Sequence, residues 1–262
     1  MSKFSQNRQD PKGVFRPISR FTETDLQQMY SIYQKYYENT RYELFVQDFK
    51  KKTGAFLILH PHTQQIVGFS TVLNCDIKID GKSHHAVFSG DTIIEKQYWG
   101  SRALQFAMFH YMLKLKLKHP FEPIYWMLIS KGFKTYLLLA NNYASYWPHP
   151  EGKCRELQPI VEAYCEQYFA GYFDRSKGVL DFGDDYQPLK GEVAPITAEL
   201  LEKNAKIRFF ESRNPEWRRG TELPCVGELQ WRDILRYSKH FALKTTSRGR
   251  LDAMVAARAQ AV

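Results

Sequence analysis

The stretch Phe88–Pro120, FSGDTIIEKQYWGSRALQFAMFHYMLKLKLKHP, changes its period halfway along. Up to Ile94 it is an extended, largely apolar run, the pattern of a buried strand. From Leu104 onward apolar residues recur at Ala107, Met108, Tyr111, Met112 and Leu115, which puts them on one helix face. A helix is therefore predicted over residues 99–118, ending at His119-Pro120. Between strand and helix lies a polar break with a single glycine, Gly100. Such a turn brings main-chain N–H groups and the positive end of a helix dipole to one place, where an anion is attracted. Trp99 and Arg102 stand in it, although a tight phosphate cradle favours small residues.

Toward the N-terminus the period is two. The runs AFLIL (55–59), QIVGFSTVL (65–73), CDIKI (75–79) and HAVFSGDTII (85–94) read as strands of an antiparallel meander. Asp80-Gly81 marks a hairpin turn, and residues 60–65 connect the first two runs. Before them, Leu26, Met29, Tyr30, Tyr33, Tyr36 and Tyr37 follow helical spacing, with Thr24 to Gln27 fitting a capping box and a helix predicted over 25–38. Toward the C-terminus, PIYWMLI (123–129) reads as a buried strand. Phe133, Tyr136, Leu137, Ala140, Ala144 and Trp147 outline a helix stopped by Pro148 and Pro150. A strand–helix–strand crossover joined to a meander predicts an α/β (α+β) fold: a mixed, mostly antiparallel sheet with helices on both faces.

The chain is predicted to divide into a flexible segment (1–20), a main domain (21–150), a mainly helical extension packed on it (151–244) and a flexible tail (245–262). In the extension, helices are expected from Pro159, from Thr197 to about residue 211, and around Trp231, Ile234 and Leu235, with one short strand, ELPCVGEL, at 222–229.

At 44% hydrophobic and 15% aromatic, the 262-residue chain has ample material for a packed core. Its net charge of +9 suits an acidic partner or a phosphorylated cofactor as well as an ordinary solvated surface. Cys75, Cys154, Cys165 and Cys225 lie far apart, which predicts reduced thiols and a cytoplasmic setting. The polar start MSKFSQNRQDPKG does not read as a signal peptide, and no apolar run is long enough to span a membrane.

The order of elements over residues 20–150 resembles the GNAT superfamily, the acyl-CoA N-acyltransferase fold. In that family the fourth strand leads into a loop of the form Gln/Arg-x-x-Gly-x-Gly/Ala that binds the coenzyme A pyrophosphate. The matching stretch here is Gln97-Tyr98-Trp99-Gly100-Ser101-Arg102-Ala103. Gln97 and Gly100 fit, whereas Arg102 replaces the second small residue, with Ala103 beside it. The resemblance implies cofactor contacts from Gln97, Gly100, Ser101, Arg102 and Ala103, the Arg102 guanidinium standing in for lost main-chain donors. It implies an acyl thioester as co-substrate, coenzyme A or the phosphopantetheine of an acyl carrier protein, whose acidity would suit a basic surface. The acceptor is then a small-molecule amine.

Acyl transfer to an amine needs a base, donors for an oxyanion and an acid for the leaving thiolate. Asp91, beside Gly90, is the first candidate base and Glu95 the second; Val87, Ser89, Asp91, Ile93 and Glu95 alternate onto one strand face. A turn aspartate bonded to its own backbone is the plainer reading of Asp91. Tyr143 and Tyr146, at the end of the helix after the crossover strand, are candidate acids; both also suit aromatic packing. Ser130 and Lys131, between a strand and a helix, suit an anion. Arg41 and Glu43, after the first helix, and Ser89 are candidates for contact with the acceptor. His60, His62, His84 and His85 lack the further ligands that a zinc site needs, so no metal is expected. Lys114, Lys116 and Lys118 read as a solvated helix end. The alternative function is a non-catalytic basic module that binds nucleic acid or a partner protein. Acidic residues interspersed in EGKCRELQPIVE and RNPEWRRGTEL argue against the nucleic-acid form.

Overall fold

The computed structural model describes residues 10–183, 190 and 195–238. Its centre is a seven-stranded sheet of order β1-β2-β3-β4-β5-β9-β6, built from β1 (Lys12–Pro17), β2 (Gly54–Leu59), β3 (Ile66–Ile79), β4 (Lys82–Ile94), β5 (Ile124–Ser130), β6 (Ser145–Trp147) and β9 (Leu223–Leu229). β4 and β5 run parallel; the other neighbours are antiparallel. A separate two-stranded ribbon joins β7 (Phe173–Asp174) to β8 (Val179–Leu180). The predicted mixed, mostly antiparallel sheet is thus present.

Strand alternation shows which helices cover which face. On one face Phe56, Ile58, Trp126 and Leu128 pack with α3 (Ala103–Lys118), α4 (Phe133–Asn142) and α7 (Ala205–Arg213). On the other, Ala55, Leu57 and Leu59 meet α1 (Glu23–Tyr36) and α2 (Tyr42–Phe49), and Tyr125 and Met127 meet α5 (Gln158–Phe169). With both faces covered, β2 has no polar side, and all six of its residues are buried.

α1 begins with a reciprocal capping box between Thr22 and Asp25, two residues earlier than the predicted pair. Arg16 Nη1 donates to Asp25 Oδ1 at 2.6 Å and secures this start. The predicted hairpin forms at Asp80 (φ 48°) and Gly81 (φ 75°), the two positive dihedrals that a tight two-residue turn requires. It joins β3 and β4, and the two runs predicted over 65–79 form one long strand.

The sheet differs from the predicted division of the chain at both ends. The lead-in assigned to residues 1–20 contributes β1, paired along its length with β2. Close backbone contact secures it, because a Cβ on Gly13 would stand 1.9 Å from the Ala103 carbonyl oxygen. Residues 1–9 lie outside the described residues. The extension after residue 150 does supply helices, α5, α6 (Ala198–Lys203) and α7. Yet its strand β9 enters the main sheet between β5 and β6, where Leu223, Cys225, Val226 and Leu229 are buried. Gly227 makes this position possible: a Cβ there would meet Leu139 and Tyr143 at 2.7 Å. The single helix expected from Thr197 is two, because the Asn204 side chain accepts from the amides of Lys206 and Ile207 and starts α7 anew. The helix expected at Trp231 covers residues 231–238 of the described chain, and the tail assigned to 245–262 lies outside it.

One irregularity changes the reading of β4. Ser70 pairs with Thr92, but Val72 pairs with Ser89, so β4 holds one extra residue opposite Thr71. The bulge reverses the alternation. Val87 packs with the α3 face, whereas Ile93 packs with α1 and α2. Val87, Ser89, Asp91, Ile93 and Glu95 therefore do not share one face.

Candidate active site

The β4–β5 pairing ends at Ser89 opposite Leu128. Beyond it β4 continues with β3 toward Ile94, while β5 continues with β9. The two parallel strands part, and a cavity of about 1050 Å³ opens where they diverge. The bulged segment Ser89–Ile94, the Trp99–Arg102 turn, Lys131 and Lys134 after β5, and α2 all border it.

Charged side chains collect at its inner part. From α2 and the turn after it, Asp48 and Lys52 pair at 2.8 Å. From the β5–α4 turn, Lys131 Nζ stands 3.5 Å from Glu222 Oε1 and 5.1 Å from the Tyr37 ring centroid. Asp91 borders the cavity beside them. Burial raises its carboxyl above the ordinary range, against the pull of Lys52 and Lys131, and Asp48 adds to the rise. Burial likewise pushes Glu222 up to about 6, with Lys131 opposing and Asp91 reinforcing. Lys131 thus pulls on both carboxyls, and the charge of Asp91 disfavours ionisation of Glu222. Thr71 borders the same floor, with a buried Oγ1 that has no hydrogen-bond partner among the described residues. Ser89 is held differently, accepting from Trp126 Nε1 at 2.8 Å.

The mouth is aromatic and basic. Trp99 donates from its indole to the Ile94 carbonyl at 2.7 Å, and Lys134 Nζ sits 4.4 Å from a Trp99 ring centroid. Burial and Lys96 lower the pKa of Lys134. Gly100 adopts φ 84°, the left-handed conformation that turns the chain into α3. The amides of this turn are largely engaged: Ser101 N donates to the Tyr98 carbonyl at 3.1 Å and Ala103 N to Ser101 Oγ at 3.2 Å. An anion here would depend more on the cationic side chains of Arg102 and Lys134 than on a ring of N–H groups.

Of the residues singled out in the sequence, Asp91, Ser89, Gly100, Ser101, Arg102, Lys131 and Arg41 border the cavity. Others stand elsewhere. Glu95 pairs with Lys35 at 2.6 Å and accepts from Gln97, which directs both toward α1. The Ala103 carbonyl abuts Gly13. Ser130 is fully buried within the sheet, its side chain next to that of Cys225. Glu43 is exposed on α2. Tyr143 stacks on Trp126 at 5.1 Å, and Tyr146, on β6, packs near Tyr136 and His149. Neither tyrosine is among the described residues that line the cavity, because α4 ends at Asn142 and the chain turns back into β6.

Asp48, Lys52, Thr71 and Glu222 are not singled out by the sequence, which places Tyr37 only on a helix face. Tyr42, Phe45, Val46 and Phe49 carry helical spacing that reveals α2, and with it the i, i+4 pair Asp48–Lys52. Nothing local marks Glu222; its partner comes from a distant turn.

The fourth strand in chain order does run into the glycine turn and then a helix, as the resemblance to the GNAT superfamily implies. No family model and no curated protein matches the sequence. Solved structures give likenesses. One is to a probable N-acyltransferase of Enterococcus faecalis, at 10% identity and TM-score 0.39, covering 50% of this chain and 32% of that one. This chain thus spans about a third of that protein's length. A second is to a GNAT family N-acetyltransferase of Escherichia coli in complex with CoA, at 12% identity and TM-score 0.36, covering 55% and 79%. A third is to a histone acetyltransferase-related acetyltransferase of Corynebacterium glutamicum, at 13% identity and TM-score 0.37, covering 54% and 90%. By name, all three are acyl- or acetyltransferases.

Proposed function

We propose that the cavity between the parting strands takes an acyl thioester and passes its acyl group to an amine. The observation that carries this reading is the position of Asp91: a carboxyl of raised pKa on a bulged strand whose β5 side has come free. In the reaction the amine nitrogen attacks the thioester carbonyl, the C–S bond breaks, and one proton moves from nitrogen to the leaving sulfur. Asp91 is suited to carry that proton, since a base of raised pKa takes it more readily. Asp48 and Glu222 would draw a cationic acceptor inward. Arg102 and Lys134 would meet the phosphates of coenzyme A or of a carrier-bound phosphopantetheine.

The test is thiol release from acetyl- and longer acyl-coenzyme A, and from acyl carrier protein, against a panel of primary amines. Asp91→Asn should cut the rate about 100- to 10,000-fold while donor binding persists. No thiol release from either donor class by the wild-type chain, together with no donor binding in calorimetry, would overturn the reading.

A further inference from the structure

At the far end of β4, away from the cavity, the fold brings together residues the sequence keeps apart. His85 lies on β4, His119 caps the C-terminus of α3, and Glu122 sits in the turn into β5. His84, next to His85 in sequence, packs instead by the Tyr125 ring. His60 and His62 are in another turn, where His60 Nδ1 accepts main-chain amides.

The geometry is that of a donor set. His85 Nε2 lies 3.2 Å and His119 Nδ1 3.4 Å from the same oxygen, Glu122 Oε2. Ligands held about 2.0–2.1 Å from a tetrahedral zinc stand about 3.3–3.4 Å from one another. On its other side His85 Nδ1 is 2.9 Å from Asp76 Oδ1. Asp76 thus holds the Nδ1 side of the ring and turns Nε2 toward Glu122. The donor atoms of His85, His119 and Glu122 all lie within 4.8 Å of one another, close enough to share one ion. A carboxylate behind a ligating imidazole is also the usual way that a zinc-binding histidine is oriented. Lys116, expected to be solvated, is instead buried and donates to the Glu122 carbonyl at 2.7 Å, which secures the turn.

We propose that His85, His119 and Glu122 form a site for a divalent ion of the zinc class, with Asp76 as the residue that orients His85. Two imidazoles and one carboxylate favour zinc and its neighbours over magnesium or calcium. The three side chains remain partly exposed, so water reaches a fourth position. Bound there, the ion would tie the end of α3 to β4 and to the turn into β5, independently of any acyl transfer.

The experiment is zinc titration by calorimetry of the chelator-treated full chain, with cobalt as a spectroscopic probe of coordination. One equivalent should bind at micromolar zinc, cobalt should give a four-coordinate spectrum, and magnesium should not compete. His119→Gln and Glu122→Gln should each weaken binding at least about 100-fold, and Asp76→Asn, which removes no ligand, about 10- to 100-fold. The paired change His60→Gln with His62→Gln should leave binding unchanged. Thermal melts of each variant in chelator separate loss of the site from loss of the fold. Absence of zinc uptake by the wild type, or uptake undiminished in both His119→Gln and Glu122→Gln, would overturn the site.

Discussion

Gly90 passes Thr71 so closely that a Cβ on it would stand 2.5 Å from Thr71 Oγ1. The contact lies at the bulge that turns Asp91 toward the charged cluster. Gly90→Ala must displace a buried hydroxyl and is expected to cost about 1–3 kcal/mol. Thr71→Ala removes an Oγ1 that has no partner among the described residues, so the double variant should recover much of the loss. Urea denaturation of the four proteins in this cycle measures the coupling. Additive costs would mean that the bulge relaxes without Thr71.

Glu222 ties stability to pH. Its carboxyl rises from the ordinary 4.5 of a solvated glutamate to about 6 in the fold. Between those values the native state keeps a proton that the unfolded chain has released, so stability falls as pH rises through the window. Above it, the buried charge costs about 2 kcal/mol. Glu222→Gln should therefore be more stable than the wild type at pH 7–8 by about 1–2 kcal/mol, with the advantage fading below about pH 4.5. Urea midpoints across this range check it. A variant less stable at pH 7 would mean that the Lys131 pair outweighs the burial cost.

Arg102 should matter for donor affinity. If its guanidinium meets a phosphate, Arg102→Ala weakens coenzyme A binding about 10-fold or more, the scale of a charge-assisted hydrogen bond. Calorimetry with coenzyme A and with dephosphorylated pantetheine separates a phosphate contact from a packing effect, because only the first ligand should lose affinity.

Gly13 is expected to be intolerant of any side chain. The atom a Cβ would meet is the main-chain oxygen of Ala103, which cannot swing aside. Gly13→Ala should destabilise by about 2 kcal/mol or more and lower the thermal midpoint by several degrees. Gly171→Ala, with open space around it, should change little and serves as the control.

Local signals in the chain translate well into structure. The Asp80-Gly81 turn and the change of period after Ile94 depend on neighbouring residues and appear where expected. The capping box illustrates the limit: Thr24 and Gln27 have the right residue types, but the box forms at Thr22 and Asp25, where Arg16 of β1 engages the aspartate. Asp91 shows a second limit. Its place in the cavity was legible from Gly90 and the strand, but its face was not, because one extra residue opposite Thr71 reverses the alternation. Glu222 shows a third: its significance comes from Lys131 and Asp91, which no periodicity connects to it.

The placement of β9 between β5 and β6 has a consequence for the order of synthesis. In chain order β4 and β5 both precede β9 by a wide interval, so β5 can pair with β4 before residue 223 is made. During that interval its outer edge offers unpaired N–H and C=O groups, a template for association with another chain. The same delay holds Glu222 back, since it directly precedes β9. A chain cut after β6 would keep α1 to α4 and most of the sheet, yet lack both β9 and the Glu222 carboxyl that stands beside Lys131. The charged cluster of the cavity is thus complete only once the segment around Glu222 has joined the strands that precede it in the chain.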